Sequence, residues 1–199
     1  GLSWSTPQII KDAYSGRKKI EAIDLNTIFV GVYDGKGVFF KSINGGSNWS
    51  EYQITASSMY DILVDAVDSI TIFATGISTT PGYKLQFSKS TDGGVTWSSM
   101  IIVDSVTSAY LPSIKAIDVN TIFLSYYDLV NGNIRFAKST DSGSIWSDMF
   151  VDVNNTCPGW ILGTNSIDAT TSSIFIGYEG YQFGACGSGE IFLRLAKAG

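Results

Sequence analysis

Arg17, Arg135 and Arg194 are the only arginines in this chain of 199 residues. A planar guanidinium binds a carboxylate through paired hydrogen bonds, so three that converged would clamp an acidic substrate. Three aromatic–carboxylate pairs stand out beside them: Tyr33-Asp34, Tyr127-Asp128 and Tyr178-Glu179. Such a pair can stack on a ring and hydrogen-bond its hydroxyls. Histidine is absent, which removes the commonest general base and metal ligand at neutral pH. Ser-His-Asp, Cys-His and histidine–metal chemistry are therefore excluded, and neither a metal nor a cofactor is expected. Cys157 and Cys186 cannot make a zinc site alone. They are either two buried thiols or one disulfide pinning two long loops, which would require an oxidising compartment. Glycoside hydrolysis needs two carboxylates about 5–10 Å apart, and no local spacing signals such a pair.

The composition narrows the partners. The formal net charge is −5 and there is no basic run, which argues against nucleic acid, since its binding depends on Lys and Arg displacing counterions. No run of 18 apolar residues exists, so no spanning helix is expected. With 44% hydrophobic residues the chain can bury a core as one domain over residues 1–199.

The elements that must position these groups repeat. "KSINGGSNWS" at Lys41–Ser50 returns as "KSTDGGVTWS" at Lys89–Ser98 and "KSTDSGSIWS" at Lys138–Ser147. Trp49, Trp97 and Trp146 stand 48 and 49 residues apart, and Trp4 in "GLSWS" lies 45 residues before Trp49. A second string occurs four times: "EAIDLNTIF", "DAVDSITIF", "KAIDVNTIF" and "NSIDATTSSIF". Four-stranded repeats with a period of 40–50 residues mark a β-propeller. Short runs rich in Val, Ile, Phe, Tyr and Thr, punctuated by Gly, Asn, Asp and Ser, agree with an all-β chain. We expect a four-bladed propeller, with blades at about 18–54, 61–103, 112–152 and 163–197, the last completed by an N-terminal strand over 4–10. In the third repeat the strands are expected at Ser113–Ile117, Thr121–Tyr127, Asn133–Ser139 and Trp146–Val151. Joining first and last strands would remove two open sheet edges. The alternative is a larger ring in which each N-terminal strand completes a neighbouring copy, so the chain is either a monomer or a strand-swapped homo-oligomer.

The S-x-D-x-G-x-x-W string resembles the Asp-box, or BNR repeat, of sialidase-like propellers. Two copies match in full, Ser90/Asp92/Gly94/Trp97 and Ser139/Asp141/Gly143/Trp146. The first, Ser42/Asn44/Gly46/Trp49, has Asn for Asp. The box is a hairpin in which Asp or Asn accepts hydrogen bonds from nearby backbone N–H groups, Gly supplies a backbone shape others resist, and Trp buries its ring beneath the turn. We read it as a fold marker and expect Asn44 to serve locally as the Asp does. The resemblance implies that boxes lie away from the binding face. Asp24, Asp68, Asp118 and Asp168 fall at the next turn and are expected to cap their own backbone.

On the opposite face, eight residues before each turn Asp, stand Gly16, Tyr60, Tyr110 and Trp160, with Tyr14 near Gly16. Tyr14, Tyr60, Tyr110 and Trp160 thus form a candidate ring of aromatic faces, which stack well on sugar C–H faces. At the ends of the second strands, Tyr33, Asp34, Tyr127, Asp128, Tyr178 and Glu179 complete the candidate ligand set. The loops 152–163 and 180–189 depart most from the repeat and carry Tyr181, Phe183 and both cysteines; such insertions tend to carry specificity. The expectation is a non-catalytic carbohydrate-binding propeller on a secreted or surface protein, with glycans as partners. The alternative implied by the resemblance is a sialidase, with Arg17, Arg135 and Arg194 clamping the substrate carboxylate and Tyr178 backed by Glu179 as nucleophile. A structural or protein-interaction scaffold is the third reading.

Overall fold

A computed structural model of the chain describes residues 3–12, 17–80, 82–104, 108–152, 165–182 and 190–198. Those residues form fifteen strands in four antiparallel sheets, with no helix. No helix among the described residues is long and apolar enough to cross a membrane. The first sheet contains β1 (Ile20–Ala22), β2 (Ile28–Tyr33), β3 (Gly37–Ser42) and β4 (Ser50–Thr55). The second contains β5 (Met59–Ala66), β6 (Ile72–Ser78), β7 (Lys84–Ser90) and β8 (Ile101–Ile102). The third contains β9 (Ala109–Ala116), β10 (Ile122–Asp128), β11 (Asn133–Ser139) and β12 (Ser147–Asp152). The fourth contains β13 (Asn165–Ala169), β14 (Ile174–Gln182) and β15 (Glu190–Ala198). Each sheet is a meander whose strands pair in chain order.

The sheets pack face to face in sequence order. Phe29 and Phe39 of the first meet Ile62, Ile72 and Ala74 of the second. Phe73 and Phe87 of the second meet Ile114, Ile122 and Leu124 of the third. Phe123 and Phe136 of the third meet Ile167, Ile176 and Tyr178 of the fourth. Sandwiching explains why β6 and β10 are buried at every position, whereas β2 leaves Ile28, Val30 and Tyr33 half-buried. A strand covered on both faces needs apolar or satisfied residues throughout; one covered on a single face needs them only at alternate positions.

The repeated turns sit together at one end. Asp24 accepts from the backbone N–H groups of Asn26 and Thr27 at 2.7 and 2.8 Å, Asp68 from Ile70 and Thr71 at 2.8 and 2.6 Å, and Asp118 from Asn120 and Thr121 at 2.7 and 2.9 Å. Asp168 departs from this pattern: its turn is two residues longer and Thr170 does the capping, accepting from the Ser173 N–H at 3.1 Å. The tryptophan hairpins are tied to these turns, with N–H to carbonyl bonds from Gly45 to Asn26, Gly93 to Ile70 and Ser142 to Asn120.

Within each hairpin the same bonds recur. The Ser42, Ser90 and Ser139 hydroxyls donate to Asn44, Asp92 and Asp141 at 3.0, 2.7 and 2.8 Å. They accept from the N–H groups of Gly46, Gly94 and Gly143. Trp97 and Trp146 donate Nε1–H to the Gly94 and Gly143 carbonyls at 3.1 and 3.0 Å. Asn44 accepts from the Asn48 N–H at 2.9 Å, as Asp92 does from Thr96. The Thr96 hydroxyl and N–H, with Ser90, pull Asp92 down to about 2. Each of these tryptophans also reaches back one sheet: Trp97 meets Phe39 edge-on at 5.5 Å and Trp146 meets Phe87 at 5.0 Å.

The N-terminal residues correct one expectation. Residues 3–12 form no strand, and the fourth sheet has three strands among the described residues. Trp4 is 98% exposed. The segment is instead held on the first sheet by Lys11, whose ammonium lies 2.6 Å from Asp34 and 2.9 Å from Glu51. Two carboxylates offer this lysine a local anchor on the first sheet.

Candidate functional site

At the end opposite the hairpins, four tyrosines form a continuous strip across three sheets. Tyr33 meets Tyr60 with ring centroids 5.5 Å apart, Tyr60 stacks on Tyr83 at 6.2 Å, and Tyr83 stacks on Tyr110 at 5.0 Å. Tyr60 is 45% and Tyr83 36% exposed. Burial, together with the neighbouring phenols of Tyr83 and Tyr60, pushes the Tyr110 hydroxyl up from its ordinary value.

Two matching β-bulges aim these rings. The pairing of β5 with β6 shifts between Tyr60 and Leu63, and that of β10 with β9 shifts at Ser125–Tyr127, opposite Tyr110. The residue after each tyrosine is left-handed, Asp61 at φ 52° and Leu111 at φ 53°. Left-handed backbone is costly for residues other than Gly and persists where the surroundings enforce it. Arg17 supplies part of that enforcement. Its N–H donates to Asp61 Oδ1 at 3.0 Å, and its guanidinium donates to the carbonyls of Pro112 at 3.1 Å and Asn165 at 2.6 Å. The N–H of Ala109 donates to the Tyr83 carbonyl at 2.7 Å, holding the second sheet's loop against the third sheet.

Beneath the strip, inner strands contribute a charged cluster. Glu21, Asp65, Lys115 and Asn165 occupy the same repeat position on β1, β5, β9 and β13. Asp65 is fully buried, pairs with the Lys19 ammonium and accepts from the Ala116 N–H at 2.5 Å. Lys19 also donates to the Ile114 carbonyl at 2.8 Å. Burial, then the hydrogen bond and charge of Asp65, raise Glu21 to about 7, against the opposing pull of Lys19 and Lys115. A carboxyl raised above its unfolded value stabilises the fold fully below the unfolded pKa and loses that contribution as pH rises through the folded one. Denaturant titrations of wild type and Glu21→Gln are expected to show the wild type losing about 1 kcal/mol relative to the variant between pH 4.5 and 7.5, after allowance for solvent screening. A pH-independent difference would contradict this.

Of the residues expected to bind ligand, Tyr33, Tyr60 and Tyr110 are brought together. Tyr83 joins them. Its signal was its place after Pro81-Gly82 in a loop on the same face. Asp34 is paired with Lys11. Tyr127 and Tyr178 are 5% and 7% exposed within the junction of the third and fourth sheets, because their strand positions alternate inward. Asp128 is fully buried, 3.6 Å from the Arg135 guanidinium, and caps its own loop through the N–H groups of Val130 and Asn131. These three are withdrawn from the open face. Tyr14, Trp160, Cys157 and Cys186 lie outside the described residues. Glu179 and Arg194 lie on β14 and β15, where Arg194 is the register partner of Tyr178, but their side chains are not among those described.

The arginines do not assemble as a clamp among the described side chains. Arg17 is engaged by two backbone carbonyls, while Arg135, 11% exposed, is ion-paired with Asp104 at 3.0 Å and with Asp128. No group of three or more metal-ligating side chains occurs among the described residues.

No protein-family model matches this chain, and no curated protein does. Solved structures are similar in fold. A Dyadobacter fermentans protein of unknown function matches at 15% identity over 86% of this chain and 49% of its own, with a TM-score of 0.65. Bacteroides ovatus xyloglucan PUL GH43B matches at 12% over 96% of this chain and 40% of its own, with a TM-score of 0.64. The leech intramolecular trans-sialidase, complexed with 2,7-anhydro-Neu5Ac, matches at 16% over 86% and 29%, with a TM-score of 0.57. The chain thus spans half or less of the length of these proteins. At such identities the likeness is one of fold.

Proposed function

We propose that the four sheets are consecutive blades of a sialidase-like β-propeller and that the strip Tyr33-Tyr60-Tyr83-Tyr110 is a non-catalytic carbohydrate-binding site on its face. The observation that carries this reading is the strip itself. It is a run of partly exposed aromatic rings on rigid strand ends, a surface suited to the C–H faces of a sugar chain. Asp61 lies next to it for hydroxyl contacts. Support for blades around an axis comes from Arg17 and Lys19, which between them bond residues of β5, β9 and β13. The recurring Ser–Asp/Asn–Gly–Trp hairpins support Asp-box repeats. The Bacteroides and leech proteins are carbohydrate-related by their descriptions, which favours the same ligand class here. Such a module suits a secreted or surface setting.

The hydrolase reading has less support, because Arg17 and Arg135 are both committed to protein groups. Binding is expected to be weak at a single shallow site. A glycan array followed by calorimetry tests the proposal. Wild type should retain at least one neutral oligosaccharide, and Tyr83→Ala should weaken that binding about tenfold, the value of one stacked ring. Hydrolysis of a fluorogenic sialoside, with no array ligand retained, would contradict it.

A further inference from the structure

The rings of the strip touch one another in single file. Tyr33 meets Tyr60, Tyr60 meets Tyr83 and Tyr83 meets Tyr110, and no other pair of these four is in ring contact among the described residues. The steps between centroids are 5.5, 6.2 and 5.0 Å. Tyr60, Tyr83 and Tyr110 follow one another nearly parallel, at interplanar angles of 15° and 29°. Parallel rings in full overlap would stand about 3.5–4.0 Å apart. These rings are therefore displaced sideways, the preferred offset arrangement, and each keeps part of a face uncovered. Each step is close to the length of one pyranose unit in an extended chain.

Asp61 follows Tyr60, the second ring of the row, and is half-exposed. Its backbone is left-handed, and its Oδ1 is fixed by the Arg17 N–H at 3.0 Å. Its Oδ2 accepts no hydrogen bond among the described residues. An oxygen held in this way accepts from a sugar hydroxyl and repels a sugar carboxylate. The cations nearby do not reverse that sign. The Arg17 guanidinium is spent on the carbonyls of Pro112 and Asn165, and Lys19 is paired with Asp65. Lys11 bridges Asp34 and Glu51, and Lys84, next to Tyr83, is engaged as well.

Resting on the sugar-binding reading above, we infer that the strip takes consecutive units of an extended, uncharged glycan, one unit to each ring, and that Asp61 is the residue that excludes acidic chains. The rings stand on strand ends already fixed by the two bulges, by Arg17 and by the bond from Ala109 to Tyr83. Each further sugar unit then adds a contact without ordering more of the protein, so affinity grows with chain length until the row is filled. A carboxylate on the unit over Tyr60 faces Asp61 across an exposed surface, where repulsion between like charges lowers affinity roughly fivefold.

Calorimetry of the full chain tests it, with β-1,4-linked glucose and mannose ladders of increasing length and the same ladders oxidised to carboxylate at C6. At least one neutral ladder should gain about tenfold or more between a single unit and a chain that fills the row, then level off. Its oxidised counterpart should bind wild type about fivefold more weakly. Asp61→Asn keeps an acceptor for the Arg17 N–H and tolerates left-handed backbone. Its near-ultraviolet circular dichroism should match wild type, and its affinities for the two ladders should converge. A single sugar unit that binds as tightly as a long chain would overturn the inference alone. So would an oxidised ladder that binds wild type as well as the neutral one, a gap that Asp61→Asn leaves intact, or an array that retains only acidic glycans. An empty glycan array, with no binding to any ladder, would overturn the sugar-binding reading and this inference together.

Discussion

Gly143→Ala is expected to destabilise the protein by about 2–5 kcal/mol, a large part of the ~5–15 kcal/mol that holds a domain folded. Gly143 has φ 85°, a conformation that costs an L-residue about 1–2 kcal/mol. Its Cβ would fall 2.1 Å from Phe87 Cε1. Phe87 cannot step aside, since it is 2% exposed, held edge-on by Trp146 at 5.0 Å and stacked on Phe73 at 6.0 Å. The same hairpin uses the Gly143 N–H and carbonyl to bind Ser139 and Trp146. One methyl therefore strains the turn and opens the junction between the second and third sheets. Urea denaturation measures the effect, and a variant within 0.5 kcal/mol of wild type would contradict it.

Arg135→Met is expected to cost about 3–5 kcal/mol, the usual penalty for removing one partner of a buried ion pair. The Asp104 and Asp128 carboxylates beside it are 6% and 0% exposed. The Tyr126 hydroxyl donates to the same Asp104, and burial followed by that carboxylate pushes Tyr126 far above its ordinary value. Loss of the cation leaves two carboxylates out of water without a counter-charge, Asp104 held by the Tyr126 hydroxyl and Asp128 by the N–H groups of its own loop. This outcome separates two roles for Arg135. An arginine that clamps a substrate carboxylate could be removed with little change in stability; one that neutralises a buried acid pair could not. A denaturation midpoint for Arg135→Met equal to that of wild type would assign it to the first role.

The parts of this molecule legible in the sequence are those in which one repeat specifies its own geometry. The Ser–Asp–Gly–Trp hairpins are closed by bonds spanning two to four residues, so residue types and spacing are enough to foresee them, including the substitution at Asn44. The capping turns at Asp24, Asp68 and Asp118 are equally local. Asp168 broke the series because two extra residues changed the turn, a difference visible as an insertion. What the sequence concealed depends on contacts between repeats. Tyr127 and Tyr60 both stand near a strand end, yet only Tyr60 is turned outward, by a bulge that spacing does not announce. Tyr83 became part of the strip because its loop is bonded to Ala109 in the next sheet. Arg135 is ion-paired with Asp104, which sits in a different repeat and which spacing does not place beside it. The N-terminal segment followed Lys11 to Asp34 and Glu51, and a repeat alignment carries no term for that charge pairing.

The tyrosine strip as a sugar-binding surface is the claim on which the functional reading stands. Tyrosine-selective isotope labelling, with ring resonances followed by NMR during titration with the oligosaccharide retained on the array, tests it most directly. The account predicts perturbation of Tyr33, Tyr60, Tyr83 and Tyr110, with Tyr52 and Tyr126 unmoved. Saturating ligand that leaves those four resonances in place would contradict it.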